Sequence, residues 1–168
     1  TSRHPRRGGS AEIAGTRASK FEHASKPETY HATTAESLRR RDFSSHAMAI
    51  SLNEGSYALL MDPFNGVADI ENKHLRILHN YSFYEEPSRM LRAVRFISRF
   101  GWTMEERTQT RYGAAKENNY TDSVSKAALG YEIKKVVHAP DPLDAMPALD
   151  AEAQLYTRYH GWTQRNVE

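Results

Sequence analysis

A chain of 168 residues, 26% of them charged and 39% apolar, has room for one ordinary domain or two small pieces and falls in the soluble globular class. It contains no cysteine, which excludes disulfides, thiolate zinc sites and cysteine nucleophiles. No apolar run approaches membrane-spanning length and no apolar leader core follows the basic start, so no membrane partner and a cytoplasmic location are expected.

The formal charge of +2 is too small to argue for nucleic acid, but its distribution is uneven. Arg3, Arg6, Arg7, Arg17, Lys20, Lys26, Arg39, Arg40 and Arg41 face only Glu12, Glu22, Glu28 and Glu36 in the first part of the chain. A local basic surface suits an anionic partner. An ordinary solvated surface is the competing reading.

Residues 1–10 read as a loop, Ala11 to Arg17 as a short strand, and 18–35 as a long loop without apolar period. Arg41 to Ile50 reads as helix, with Phe43, Ala47 and Ile50 at spacings of four and three. Ser56 to Met61 reads as the best strand. Asp62-Pro63-Phe64-Asn65-Gly66 is a turn, because Pro fixes φ and Asn-Gly tolerates positive φ. A short helix (67–72) and a strand (75–78) follow. Helices are then expected over 87–100, 104–117, 125–137 and 143–153, with Pro147 kinking or shortening the last. The expected class is α+β: a small mixed sheet with helices, then a helical piece, with the boundary near residue 68.

Two arginine clusters stand out. In the second, Pro87 suits a first helical position and Glu86 its N-cap. On a helical wheel Met90, Ala93, Val94, Ile97 and Phe100 share one face. Arg89, Arg92, Arg95 and Arg99 share an arc of roughly 120° on the other. No acid lies between Ser88 and Phe100 to partner them, so they are expected to meet anions elsewhere, or else form a solvated face with Glu85 pairing Arg89. Glu85 and Glu86 accept hydrogen bonds and Arg89 donates them, so this face could imitate a base-pairing edge. In the first cluster Arg40, Arg41 and Asp42 lie at a helix start, where phosphate is favoured. Asp42 either caps that helix or accepts from a ribose hydroxyl. His46, one turn on, reads as structural.

Taken together, Arg40-Arg41-Asp42-Phe43 with Ala47-Met48-Ala49, Asp62-Pro63-Phe64-Asn65-Gly66-Val67-Ala68-Asp69, and Glu85-Glu86-Pro87-Ser88-Arg89-Met90-Leu91-Arg92 resemble the class II tRNA nucleotidyltransferase and bacterial poly(A) polymerase family. The order and gaps match over residues 11–146. The resemblance implies the C-terminal part of a nucleotidyltransferase head (1–68), a helical nucleotide-selecting neck (69–150) and an unassigned tail (151–168). It implies that Arg40, Arg41 and Asp42 line the pocket near phosphates and ribose. It puts Glu85, Glu86 and Arg89 at the positions that read the incoming ATP or CTP, with Arg92 helping to hold the nucleotide. Arg95 and Arg99 are candidates for RNA phosphate, and Glu12 for a third catalytic carboxylate. The implied cofactor is Mg²⁺; the implied partners are ATP or CTP and an RNA 3′ end, that of tRNA.

The chain also departs from the pattern. His46 stands where the family has Asn, and Ser37 where it has an acid. Glu86 replaces Asp and is longer by about an ångström. The family's two metal-binding aspartates have no counterpart, since no Asp occurs before Asp42, so no metal site is expected here. The chain is therefore expected to be part of a template-independent RNA nucleotidyltransferase, partnered by a missing N-terminal half. The alternative is a non-catalytic nucleotide- or RNA-binding remnant.

Overall fold

The computed structural model describes the backbone of residues 2–6, 9–13, 16–20, 28–139 and 142–153, and side chains over 32–139 and 146–151 together with Thr16. The class is α+β, as expected, with most of the helix in the second half.

Strands β1 (Ser2–Arg6) and β2 (Gly9–Ile13) pair antiparallel, as do β3 (Arg17–Lys20) and β4 (Glu28–His31). The loops expected over 1–10 and 18–35 thus contain paired strands among the described residues, and the strand expected at Ala11–Arg17 is divided between β2 and β3. Helix α1 (Thr34–Arg39) lies in the second of those expected loops. It is started by a capping box in which Thr33 Oγ1 accepts from Glu36 N (3.2 Å) and Thr33 N donates to Glu36 (2.8 Å). The pattern Thr33-x-x-Glu36 is legible in the sequence and would have found this helix.

The helix expected over 41–50 is corrected. Phe43 is extended (φ −132°, ψ 154°) and bridges antiparallel to Ile77, and only Ser44–His46 makes a 3-10 turn. Ala49–Ile50 (β5) instead pairs with Leu60–Met61 (β6), a much shorter strand than expected over 56–61. The side chain of Phe43 is wholly buried, so tertiary packing overrode the local apolar spacing. The Asn65 turn is as expected, with φ 58° in the left-handed region, and it opens α2 (Gly66–Glu71). Strand β7 (His74–Leu75) pairs parallel with β8 (Thr103–Met104).

The helical half is α3 (Ser82–Glu85), α4 (Ser88–Phe100), α5 (Glu106–Glu117), α6 (Lys126–Val137) and α7 (Pro142–Ala153). Pro87, already at φ −57°, precedes α4, and Glu86 makes no side-chain cap there. Gly101, at φ 63°, ends α4, where a left-handed residue releases the chain. Ser125 Oγ caps α6 by accepting from Ala128 N (3.2 Å). Pro147 does not shorten α7, which runs through it to Ala153.

Helix α4 is central rather than one-sided. Met90 and Ala93 join Phe43, Leu75, Ile77, Phe83, Tyr112 and Ala115 in one core. Leu91 joins Leu129, Val136 and Leu149 in a second. Burying each such large side chain contributes about 1.5–3 kcal/mol. The first core draws on Phe43 and Met90 alike, and so spans the boundary expected near residue 68. Among the described residues no helix is long and apolar enough to cross a membrane.

Candidate nucleotide site

The two arginine clusters meet in space. Arg92 Nε donates to Asp42 Oδ2 at 2.6 Å, and Arg92 Nη2 pairs with the same oxygen. Arg89 Nη2 reaches the Arg40 carbonyl at 3.4 Å. The Asp42-Phe43 segment, anchored by the bridge of Phe43 to Ile77, thus runs beside the first turns of α4.

These contacts correct the expected picture of four arginines without acidic partners. Arg95 Nε donates to Glu132 Oε2 at 2.7 Å, and Arg92 Nη1 lies 3.9 Å from Glu132 Oε1. Glu132, on α6, is 2% exposed. Asp42, Arg92, Glu132 and Arg95 therefore form one alternating chain of charge joining the 42–43 segment, α4 and α6. The partners were invisible to a wheel drawn on one helix because they come from residues far away in sequence. Arg95 also lies over the Phe96 ring, 4.3 Å from its centre. Arg99 is exposed, over the Phe100 ring at 5.3 Å.

Arg89 is buried, not off the packed face. Its Nη1 donates to Ser82 Oγ at 2.8 Å, and its Nε lies 3.2 Å from Glu86 Oε2. It ties together α3, α4 and the Arg40 backbone. Arg89→Ala is therefore expected to lower stability by about 1.5–3 kcal/mol, the scale of hydrogen bonds to a charged group, besides weakening ATP binding. Urea unfolding of the variant checks this; an unchanged midpoint would show that these bonds are replaced by water at no cost.

Around this anchor the carboxylates stay exposed, although Glu86 also accepts from the Ser88 hydroxyl at 3.2 Å. Glu85 and Glu86 side chains are 50% and 56% exposed. Arg40 and Arg41 are exposed, and Tyr84 is exposed beside Tyr120, ring centres 5.8 Å apart. Burial would raise the Asp42 carboxyl, but His46 and the Arg92 guanidinium outweigh it and hold the group well below the usual carboxylate range. Asp42 does not cap a helix; it is an ionised acceptor held by Arg92. His79 Nε2 lies 3.5 Å from Glu85 Oε2. Burial, and then Arg89, Arg39 and Arg107, push this imidazole down despite Glu85, so the neutral form is favoured. Sequence reasoning missed Glu132 and His79; the place of Glu132 on the apolar face of α6, three residues after Leu129 and four before Val136, was the available signal.

Nearby, Asp69 is 1% exposed and takes a two-point fork from Arg76 (Nε 2.9 Å, Nη2 2.9 Å) and the Ser44 hydroxyl (2.6 Å). This ties α2 to the 3-10 turn and holds the Asp42 segment from behind.

Residues 3–76 match the family described as "Poly A polymerase head domain". The three motifs, in one place and in family order, continue past that match. The chain belongs to the class II tRNA nucleotidyltransferase and bacterial poly(A) polymerase family. Among relatives of this family, an A-adding tRNA nucleotidyltransferase of Halalkalibacterium halodurans is 40% identical over 126 residues, 74% of this chain and 30% of that protein. One of Aquifex aeolicus is 34% identical over 133 residues, 79% of this chain and 15% of that protein. A solved CCA-adding enzyme (apo form II) superposes with a TM-score of 0.79 at 32% identity, over 88% of this chain and 35% of the other. A tRNA nucleotidyltransferase complexed with a primer tRNA and an incoming ATP analog does so at 0.70 and 33% identity, over 76% and 37%. The chain thus spans about a third or less of the length of the relatives it matches.

Proposed function

We propose that this chain is the nucleotide-selecting part of a template-independent RNA nucleotidyltransferase, one that adds AMP or CMP from ATP or CTP to the 3′ end of an RNA, namely tRNA. The observation that carries the reading is the junction of the two clusters through Arg92–Asp42 and Arg89–Arg40. The relatives support the tRNA substrate: several are named A-adding or CCA-adding, and one is solved with a primer tRNA and an ATP analog.

In this reading residues 1–68 are the C-terminal part of the head, 69–150 the neck, and 151–168 stay unassigned. Arg40 and Arg41 hold phosphates. Asp42, ionised and fixed by Arg92, accepts from the ribose. Glu85 and Glu86 accept from the base edge, with Arg89 setting their direction. Arg95 is committed to Glu132, so Arg99 carries most of any RNA phosphate contact. Glu12 lies on β2, but its side chain is outside the described residues. The soluble chain works in the cytoplasm.

Attack by the RNA 3′-hydroxyl on the α-phosphate forms the new ester bond and releases pyrophosphate. What these residues supply is orientation and charge stabilisation, which dominate phosphoryl transfer. The family implies Mg²⁺. Among the described residues no three His, Asp or Glu side chains gather to hold a metal ion, and Asp42 has one oxygen committed to Arg92. The described residues therefore do not fit the metal, and no step is routed through it.

The test is equilibrium binding of ATP, CTP and GTP to the chain. Preference for ATP or CTP over GTP is expected, by at least about tenfold for one charge-assisted hydrogen bond. Equal binding of all three would favour a non-catalytic nucleotide- or RNA-binding remnant.

A further inference from the structure

We propose that His46 is a positioning residue that aims the free oxygen of Asp42, and so sets discrimination between ribose and deoxyribose nucleotides. This rests on the reading of Asp42 as the ribose acceptor.

The two Asp42 oxygens are not equivalent. Oδ2 takes both contacts from Arg92. Oδ1 faces His46 Nδ1, 3.7 Å away. That is too long for a hydrogen bond, and Nδ1 is buried without any other partner. A buried ring nitrogen with one carboxylate oxygen before it has one way to be satisfied. A shift of under about one ångström closes the gap to hydrogen-bond length.

The ring is held on one side by aromatic neighbours. Phe96 lies against it with centres 4.6 Å apart, and Phe43 meets it edge-on at 6.0 Å. Phe96 is in turn capped by Arg95, which Glu132 holds. The imidazole thus packs against a pair of rings whose own centres are 5.9 Å apart, with Nδ1 toward Asp42. The arrangement requires Nδ1–H as donor. With Oδ2 committed and Oδ1 steered by His46, a ribose hydroxyl has one remaining lone-pair direction to meet. A nucleotide lacking that hydroxyl leaves the oxygen unanswered.

Two measurements test this. Nitrogen-15 NMR of the chain reports the His46 tautomer, and Nδ1–H is expected. Binding of ATP and dATP is then compared in the wild-type chain, Asp42→Asn, His46→Ala and His46→Asn. The wild type is expected to prefer ATP by at least about tenfold. His46→Ala should bring the preference to within about threefold, and His46→Asn, which has its own donor, should restore most of it. Should His46→Ala fail to fold, His46→Phe keeps the ring and removes the nitrogen. An Nε2–H tautomer, or a preference that survives loss of the imidazole, overturns the proposal while leaving the Asp42 reading intact. No preference in the wild type, or one untouched in Asp42→Asn, sinks the Asp42 reading and the proposal with it.

Discussion

Glu132→Ala is expected to destabilise the chain by about 3–5 kcal/mol, the scale for removing one partner of a buried ion pair. Glu132 is 2% exposed and Arg95 8% exposed, with 2.7 Å between Nε and Oε2. Without the carboxylate, Arg95 keeps its charge in a place that is 8% exposed to water. Arg92 would lose the anion on its far side and keep only Asp42. Glu132→Gln retains the volume and one acceptor, so its effect should be clearly smaller. Replacing both Arg95 and Glu132 by packed apolar residues should recover much of the loss, because desolvation offsets most of what a buried pair contributes. Urea midpoints of the three variants provide the comparison. A Glu132→Ala chain within about 0.5 kcal/mol of wild type, the range of ordinary surface changes, would mean that the pair is solvated in the folded state.

Gly66→Ala should also be costly, by about 1–3 kcal/mol or more, as overpacking of a rigid site. A Cβ there would lie 2.4 Å from the Ser44 carbonyl oxygen and 2.9 Å from Met48 Sδ. Met48 can move, but the Ser44 oxygen cannot easily do so: it accepts from Ala47 N at 2.9 Å within the 3-10 turn. The Ser44 hydroxyl is fastened to Asp69. Gly113 and Gly130 give the internal control, since a Cβ at either meets nothing within 4 Å. Both lie inside helices, so Gly113→Ala and Gly130→Ala should stabilise by about 0.8–1 kcal/mol. The same substitution is thus expected to change sign between sites, which unfolding of the three variants would check. If Gly66→Ala were neutral, the approach of α2 to the 3-10 turn would be looser than described.

The chain also shows why some features can be read from its residues and others cannot. Helices α4, α5 and α6 were found within a residue or two, because their apolar spacing and their stops are local. The Asn65-Gly66 turn was legible for the same reason: positive φ is a property of one residue type at one position. The capping box at Thr33 was equally local and was overlooked beneath the polar composition around it. The segment after Asp42 was misread as helix for a different reason. Its spacing of four and three is real, but Phe43 is pulled into extended pairing with Ile77 by a core assembled from residues up to Ala115.

The site divides along the same line. Its residue types, their order and the pairing of carboxylates with guanidinium groups were determined by the sequence alone, because hydrogen-bonding capacity belongs to the side chain. Which carboxylate each arginine meets was decided only by the tertiary structure. Arg92 and Arg95 look alike on a helical wheel, yet one grips Asp42 and the other is spent on Glu132. The reason is that burying a charge demands an opposite charge close by, and nothing in the spacing within α4 says that α6 will bring one.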